Sequence, residues 1–202
     1  MNAHYNLGYA LAKLGRTEEA AVEYQAALRI LPDYAFAHCN LANALSALGK
    51  ADEAMAHYRE GLRLNPNYVD AHMNLGVALG SAGRYEEAID QFREVLRLNP
   101  KSATAHNDIG HALAPQGRYE EAAAEFREAL RLNPNLAEAH NNLGAVLVAE
   151  GQLAGAIEEY TQAVRIRPDY ADAQKNLSVV EDHLRINRST PQTPRPPGAP
   201  PQ

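Results

Sequence analysis

Apolar residues recur along this chain at spacings of three and four with polar residues between them, the pattern of amphipathic helices. At ~100° per residue, His4, Leu7, Gly8 and Leu11 fall on one narrow stripe of a first helix. After Gly15 a second helical pattern sets Ala20, Tyr24, Ala27 and Leu28 on one side, and Pro32 ends it. Gly8 and Ala20 lack bulk where the two helices approach, and a larger side chain there would push them apart. Glu18 and Glu19 open the second helix, where they complement its dipole, and they return as Glu86, Glu87, Glu120 and Glu121.

The whole pattern repeats every 34 residues. His72, Leu75, Gly76, Leu79, Gly83, Ala88, Phe92 and Pro100 return as His106, Ile109, Gly110, Leu113, Gly117, Ala122, Phe126 and Pro134, and the same places are filled from His4, His38 and His140 onward. These units resemble the tetratricopeptide repeat family, whose 34-residue unit is a helix, a tight turn and a second helix. The family usually has a large aromatic residue at the fourth place, where every copy here has His. The resemblance implies an all-α, right-handed superhelix, an α-α solenoid of five repeats at 1–34, 35–68, 69–102, 103–136 and 137–170. Within the family, the runs AHYNLG, AHMNLG and AHNNLG with RYEEA and LRLNP look most like the repeat arm of protein O-linked N-acetylglucosamine transferases.

Two copies depart from the pattern. Gly61 stands where the others hold Ala27, Val95, Ala129 and Ala163; inside a helix Gly costs ~1 kcal/mol relative to Ala, so the second copy is expected to be the softest. Pro115 enters the last turn of a first helix, removes an amide hydrogen and clashes with the carbonyl of His111, so that helix should end early or bend. A sixth copy begins at Ala171 with Leu177 and Ser178, but Gln174 replaces His, Glu181 replaces Leu, and Arg185 follows. This predicts a solvating cap helix over 171–187. Residues 188–202 are Pro-rich and predict a disordered tail, in which Arg188, Pro191 and Pro194 match an RxxPxxP ligand pattern.

Composition narrows the function. In 202 residues, five repeats leave no room for a large catalytic domain, so function must reside on the array or its tail. A net charge of −6 argues against a nucleic-acid partner. No apolar run reaches membrane-spanning length, Met1 leads directly into repeat sequence, and the single Cys39 fits a reducing cytoplasm. Leu7 with Tyr5 and Tyr9 has no preceding helix to cover it, which predicts self-association through the amino-terminal end or a lost upstream repeat.

The chemistry is that of a binder. His4, His38, His72, His106 and His140 sit on equivalent helices ~8–10 Å apart, too far for two of them to share one zinc ion at ~2 Å, so they read as packed imidazoles hydrogen-bonded between helices. Cys39 has no visible base beside it and reads as a small buried hydrophobe. No nucleophile elbow, phosphate loop or paired carboxylate site is present, so no enzyme activity, cofactor or metal is expected.

The sixth place of the first helix holds Asn6, Asn40, Asn74, Asp108, Asn142 and, in the cap, Asn176. It lies ~200° from the histidine, away from the packed stripe, and Asn is a mediocre helix former. The family resemblance puts these side chains on the concave wall, as a ladder that meets the backbone of an extended peptide. An amide offers both donor and acceptor, and three peptide residues at ~3.3 Å each match one helix spacing. Selectivity falls to the second place (Phe36, Asp70, Thr104, Glu138, Asp172) and the ninth (Tyr9, Asn43, Val77, His111, Ala145). Asp108 breaks the ladder and with His111 suits a hydroxyl or a Lys on the ligand. The family's basic clamp for chaperone carboxylates finds Tyr5, Tyr9, Asn40, Asp70 and Asn74 at its places, and only Asn40 agrees. On this reading, removing the ladder amides should leave stability unchanged or slightly higher, because Ala is the better helix former.

Overall fold

The computed structural model describes residues 3–189. Among them every regular element is helical: α1 (Ala3–Lys13), α2 (Thr17–Ile30), α3 (Ala35–Ala47), α4 (Ala51–Leu64), α5 (Val69–Ser81), α6 (Tyr85–Leu98), α7 (Ala103–Leu113), α8 (Tyr119–Leu132), α9 (Ala137–Ala149), α10 (Leu153–Ile166) and α11 (Ala171–Ser189), with a 3-10 turn at Ala114–Gln116. Packing divides the described residues into two compact units, one up to residue 133 and one from residue 134. In the first, α1 to α8 form helix pairs, each packed on the next; in the second, α10 packs on both α9 and α11.

The turn inside each pair is made by glycine. Gly15, Gly49, Gly83, Gly117 and Gly151 have φ of 73 to 76°, the left-handed region that costs a Cβ-bearing residue strain. This conformation lets the Arg16 amide reach back to the Leu11 carbonyl at 3.0 Å, closing the end of α1. A second set of glycines has a different cause. Had Gly76 a Cβ, it would stand 2.5 Å from the Phe92 ring, and Gly8, Gly110 and Gly144 meet Tyr24, Phe126 and Tyr160 in the same way. In four of the five pairs the ring of the second helix thus lies against the glycine of its own first helix, with Ala42 at that place in α3, while Ala20, Ala54, Ala88, Ala122 and Ala156 are fully buried.

Packing supplies a separate reason for glycine at position 61. An added Cβ would overlap the Cys39 sulfur and stand 3.3 Å from the Ala35 carbonyl. Cys39 is buried, and burial pushes its thiol up to about 12, so it is the small hydrophobe expected and Gly61 is shaped around it. Pro115 acts as anticipated: α7 ends at Leu113 and passes into the 3-10 turn, whereas α5 and α9 run for 13 residues. The final helix extends two residues beyond 187, so Arg188 and Ser189 are helical; the remainder of the expected tail, with Pro191 and Pro194, lies outside the described residues.

Candidate ligand groove of the first unit

The two repeated polar columns of the first helices behave differently. Each histidine reaches the second helix of its own pair, nineteen residues on: His4 meets Glu23, His38 meets His57, His72 meets Gln91, His106 meets Glu125 and His140 meets Glu159. The other ring nitrogen donates to the proline carbonyl of the preceding loop, His38 to Pro32 at 2.8 Å, His72 to Pro66 at 2.9 Å and His140 to Pro134 at 3.2 Å. Gln174, at the histidine place of α11, donates to Pro168 in the same way. The column is therefore a set of structural ties. In His140 both nitrogens donate only as imidazolium, and Glu159 raises its pKa accordingly, against the opposing effect of burial. His57 is pushed the other way, first by burial and then by His38.

The sixth place is also tied in part. Asn40 donates to the Tyr5 hydroxyl at 3.0 Å, Asn74 donates to the Asn43 side-chain oxygen at 2.9 Å, and in the second unit Asn176 donates to the Asn141 oxygen at 3.1 Å. Each bond joins one first helix to the first helix before it. The Asn43 oxygen also accepts from the Tyr58 hydroxyl at 2.5 Å, which brings three helices together at one atom. The expectation that the amides do nothing for stability is therefore corrected, because Asn40 and Asn74 each make a cross-helix bond. An amide carries an acceptor and two donors, so one such bond leaves it capacity for a ligand. Asn6 is exposed, Asp108 and Asn142 are half-buried, and Asn141 donates to Asn142 at 3.4 Å.

Two consecutive cavities of about 320 and 480 Å³ lie along this row. Tyr9, Lys13, Thr17, Tyr24, Asn40 and Asn43 line the first. Asn43, Ala47, Ala51, Tyr58, Asn74 and Val77 line the second. Every residue of the second set is the first set advanced by 34, so the cavities are two turns of one motif and share Asn43 and Ala47. Ladder residues Asn40 and Asn74 and ninth-place residues Tyr9 and Asn43 line these cavities together. His111 is exposed one turn beyond Asp108, whose carboxyl is raised by burial and lowered, less strongly, by Asn107 and His111.

Sequence periodicity missed one feature. The rings of Tyr24, Tyr5, Tyr34, Phe36 and Tyr68 form a continuous chain with centroids 5.9, 4.8, 6.2 and 5.2 Å apart. These residues occupy several places of the repeat and recur as a set in no other copy, so a period of 34 does not reveal them. Among the described residues there is no group of three metal-ligating side chains and no helix long and apolar enough to cross a membrane.

Known proteins match this architecture. The TPR repeat pattern matches residues 8–49, 110–151 and 146–180, and the tetratricopeptide repeat pattern matches 39–103. Among solved structures, YrrB, described as a TPR protein with an unusual peptide-binding site, is 24% identical, with 85% of this chain and 89% of that chain covered at a TM-score of 0.73. A MamA fragment from Desulfovibrio magneticus RS-1 is 22% identical, covering 83% and 95%, with a TM-score of 0.77. The TPR protein TTC0263 of Thermus thermophilus is 24% identical, covering 88% and 97%, with a TM-score of 0.68. At these identities the likeness establishes the fold alone. No curated protein matches the chain.

Proposed function

Since the chain belongs to the tetratricopeptide repeat family, we propose that it is a non-enzymatic protein-interaction scaffold that binds an extended peptide along the row of cavities in its first unit. The observation that carries this reading is the repetition of one cavity at a step of 34 residues, each with a ladder amide on its wall. A partner with its own repeating donors and acceptors at a similar step is an extended backbone, three residues of which span ~10 Å. Asn40 and Asn74 would hold that backbone through their oxygens and remaining N–H groups, and Tyr9, Asn43 and Val77 would choose among side chains. YrrB, described as a peptide-binding TPR protein, fits such a use of the fold. In the second unit, Asn142 and Asn176 extend the same pattern by sequence.

The test is a titration of a peptide selected from a random display library against the wild type and the Asn40→Ala, Asn74→Ala double variant. Two lost contacts at about 0.5–1.5 kcal/mol each correspond to roughly a five- to 150-fold loss of affinity. Melting curves should show a lower midpoint, because the bonds to Tyr5 and Asn43 are lost as well. Unchanged affinity in a folded double variant removes the row from the mechanism. The runs AHYNLG, AHMNLG and AHNNLG favour one alternative, the substrate-recognition arm of an O-linked N-acetylglucosamine transferase. A source gene that continues into a glycosyltransferase domain would decide for it.

A further inference from the structure

The repeat that relates the two cavities has a third step inside the first unit. Advanced once more by 34, the lining places hold Val77, Ser81, Tyr85, Phe92, Asp108 and His111. Asp108 is the only acid at the ladder place. The residues 35 and 31 positions before a ladder side chain are those that tie Asn40 to Tyr5 and Asn74 to Asn43. For Asp108 these places hold Met73 and Val77, and neither carries a hydrogen-bond donor. The carboxylate is half-buried and accepts from Asn107, its neighbour in α7, at 3.1 Å. An amide at this place would have met the same apolar pair, so the acid does not replace a tie between helices.

Resting on the groove reading above, we propose that this third step is a subsite for a cationic side chain of the bound peptide, the ammonium of Lys or the guanidinium of Arg, received by the Asp108 carboxylate. The chemistry of the places around it fits. Exposed Val77 and the half-buried Tyr85 ring suit the alkyl stem of such a side chain and the approach of its charge, Phe92 is buried against Gly76, and no Lys or Arg competes at these six places. A hydroxyl needs only an amide to receive it, whereas the cost of desolvating a carboxylate is offset by a full positive charge. Burial raises the Asp108 carboxyl, so the ionised group lowers stability at neutral pH in the absence of ligand. The stability associated with its proton is complete below the ordinary carboxylate range and is lost as pH rises through the raised value.

The experiment screens a random twelve-residue display library against the purified full chain and against Asp108→Asn. The best binder is then titrated on both proteins, alongside the same peptide with its Lys or Arg changed to Gln. The wild type should enrich Lys or Arg at one peptide position, and the Gln change should weaken binding to it about tenfold while changing binding to Asp108→Asn less than twofold. Separate Lys and Arg peptides tell the two cations apart. Asp108→Asn should melt at or above the wild-type temperature at pH 7, with the gap closing toward pH 3. Binders that the Asn40→Ala, Asn74→Ala variant weakens, but that show no cation enrichment or lose equally on both proteins, overturn the subsite and leave the groove standing. Binders indifferent to that double variant overturn the groove and the subsite together. If Asp108→Asn fails to fold, Asp108→Ala takes its place in the same comparison.

Discussion

In α3 and α4, His38 meets His57 and Gly61 makes room for Cys39; in α7 and α8 the same places hold His106 with Glu125 and Asn107 with Ala129. Both pairs close with the same glycine turn, and both bury a ring of the second helix, Tyr58 and Phe126. They differ in what each side chain finds opposite it. Gly61 looks like a weak point when judged against the alanines of other copies, yet its own copy places the Cys39 sulfur where a Cβ would go. A residue in a repeat has to be weighed against its partner in the same copy, because packing is decided there and not by the average over copies.

Gly61→Ala breaks that comparison most strongly. Helix propensity alone gives a gain of ~1 kcal/mol. Overlap with Cys39 instead predicts a loss of about 1–3 kcal/mol, read as a lower midpoint in urea or heat, and Cys39→Ala in the same chain should recover most of it. A stabilised Gly61→Ala single variant would show that α3 and α4 separate at no cost.

His57→Glu gives α4 the partner that Glu125 provides in α8, and its effect should be smaller. Burial and His38 lower the pKa of His57 in the folded chain. Its contribution to stability is therefore present above the ordinary imidazole value of about 6.5 and is lost as pH falls through the lowered one. In the variant, the new carboxylate would hold a protonated His38 as Glu159 holds His140, whose raised pKa gives the opposite dependence, with stability present at acid pH and lost as pH rises. The variant should gain on the wild type between pH 8 and pH 5, by roughly 0.3–1 kcal/mol for a half-buried pair still screened by solvent. A constant difference across that range would mean that the two imidazoles do not feel each other.

Pro115→Ala should have the least effect on stability. It removes the distinction between α7, which ends at Leu113, and α3, which runs on to Ala47. Regained helix at the end of α7 is opposed by the greater freedom of the unfolded chain, so the midpoint should move by less than about 0.5 kcal/mol. The helical circular dichroism signal should rise by about one turn's worth. No rise would show that the 3-10 turn belongs to the loop and not to the proline.

Much of the fold was legible because it is local. Apolar spacing within one helix, glycine at each turn and proline after each second helix all act over a few residues, and so does the early end of α7 at Pro115. The ladder places were legible as a column, since two residues past the repeated histidine is necessarily another face of the helix. Their hydrogen bonds were not. Asn40 to Tyr5 and Asn74 to Asn43 join residues 35 and 31 apart, and which of the two is reached depends on how one first helix is set against the next. The aromatic chain from Tyr24 to Tyr68 was missed for the same reason, since its members are scattered over several places in the repeat.

The sequence by itself determined that this is an array of helix pairs with a period of 34, which residues face inward, and which polar columns recur. Only the tertiary structure decided that His38, His72 and His140 are ties to the preceding proline carbonyls, that Gly61 is fitted to Cys39, and that the ladder amides of Asn40, Asn74 and Asn176 are already partly engaged. The physical reason is one of range. A helix and its turns follow from torsional preference and apolar spacing within a few residues, whereas a hydrogen bond or a steric overlap between helices is settled within a few tenths of an ångström by the packing of side chains more than a turn, and often a whole repeat, apart.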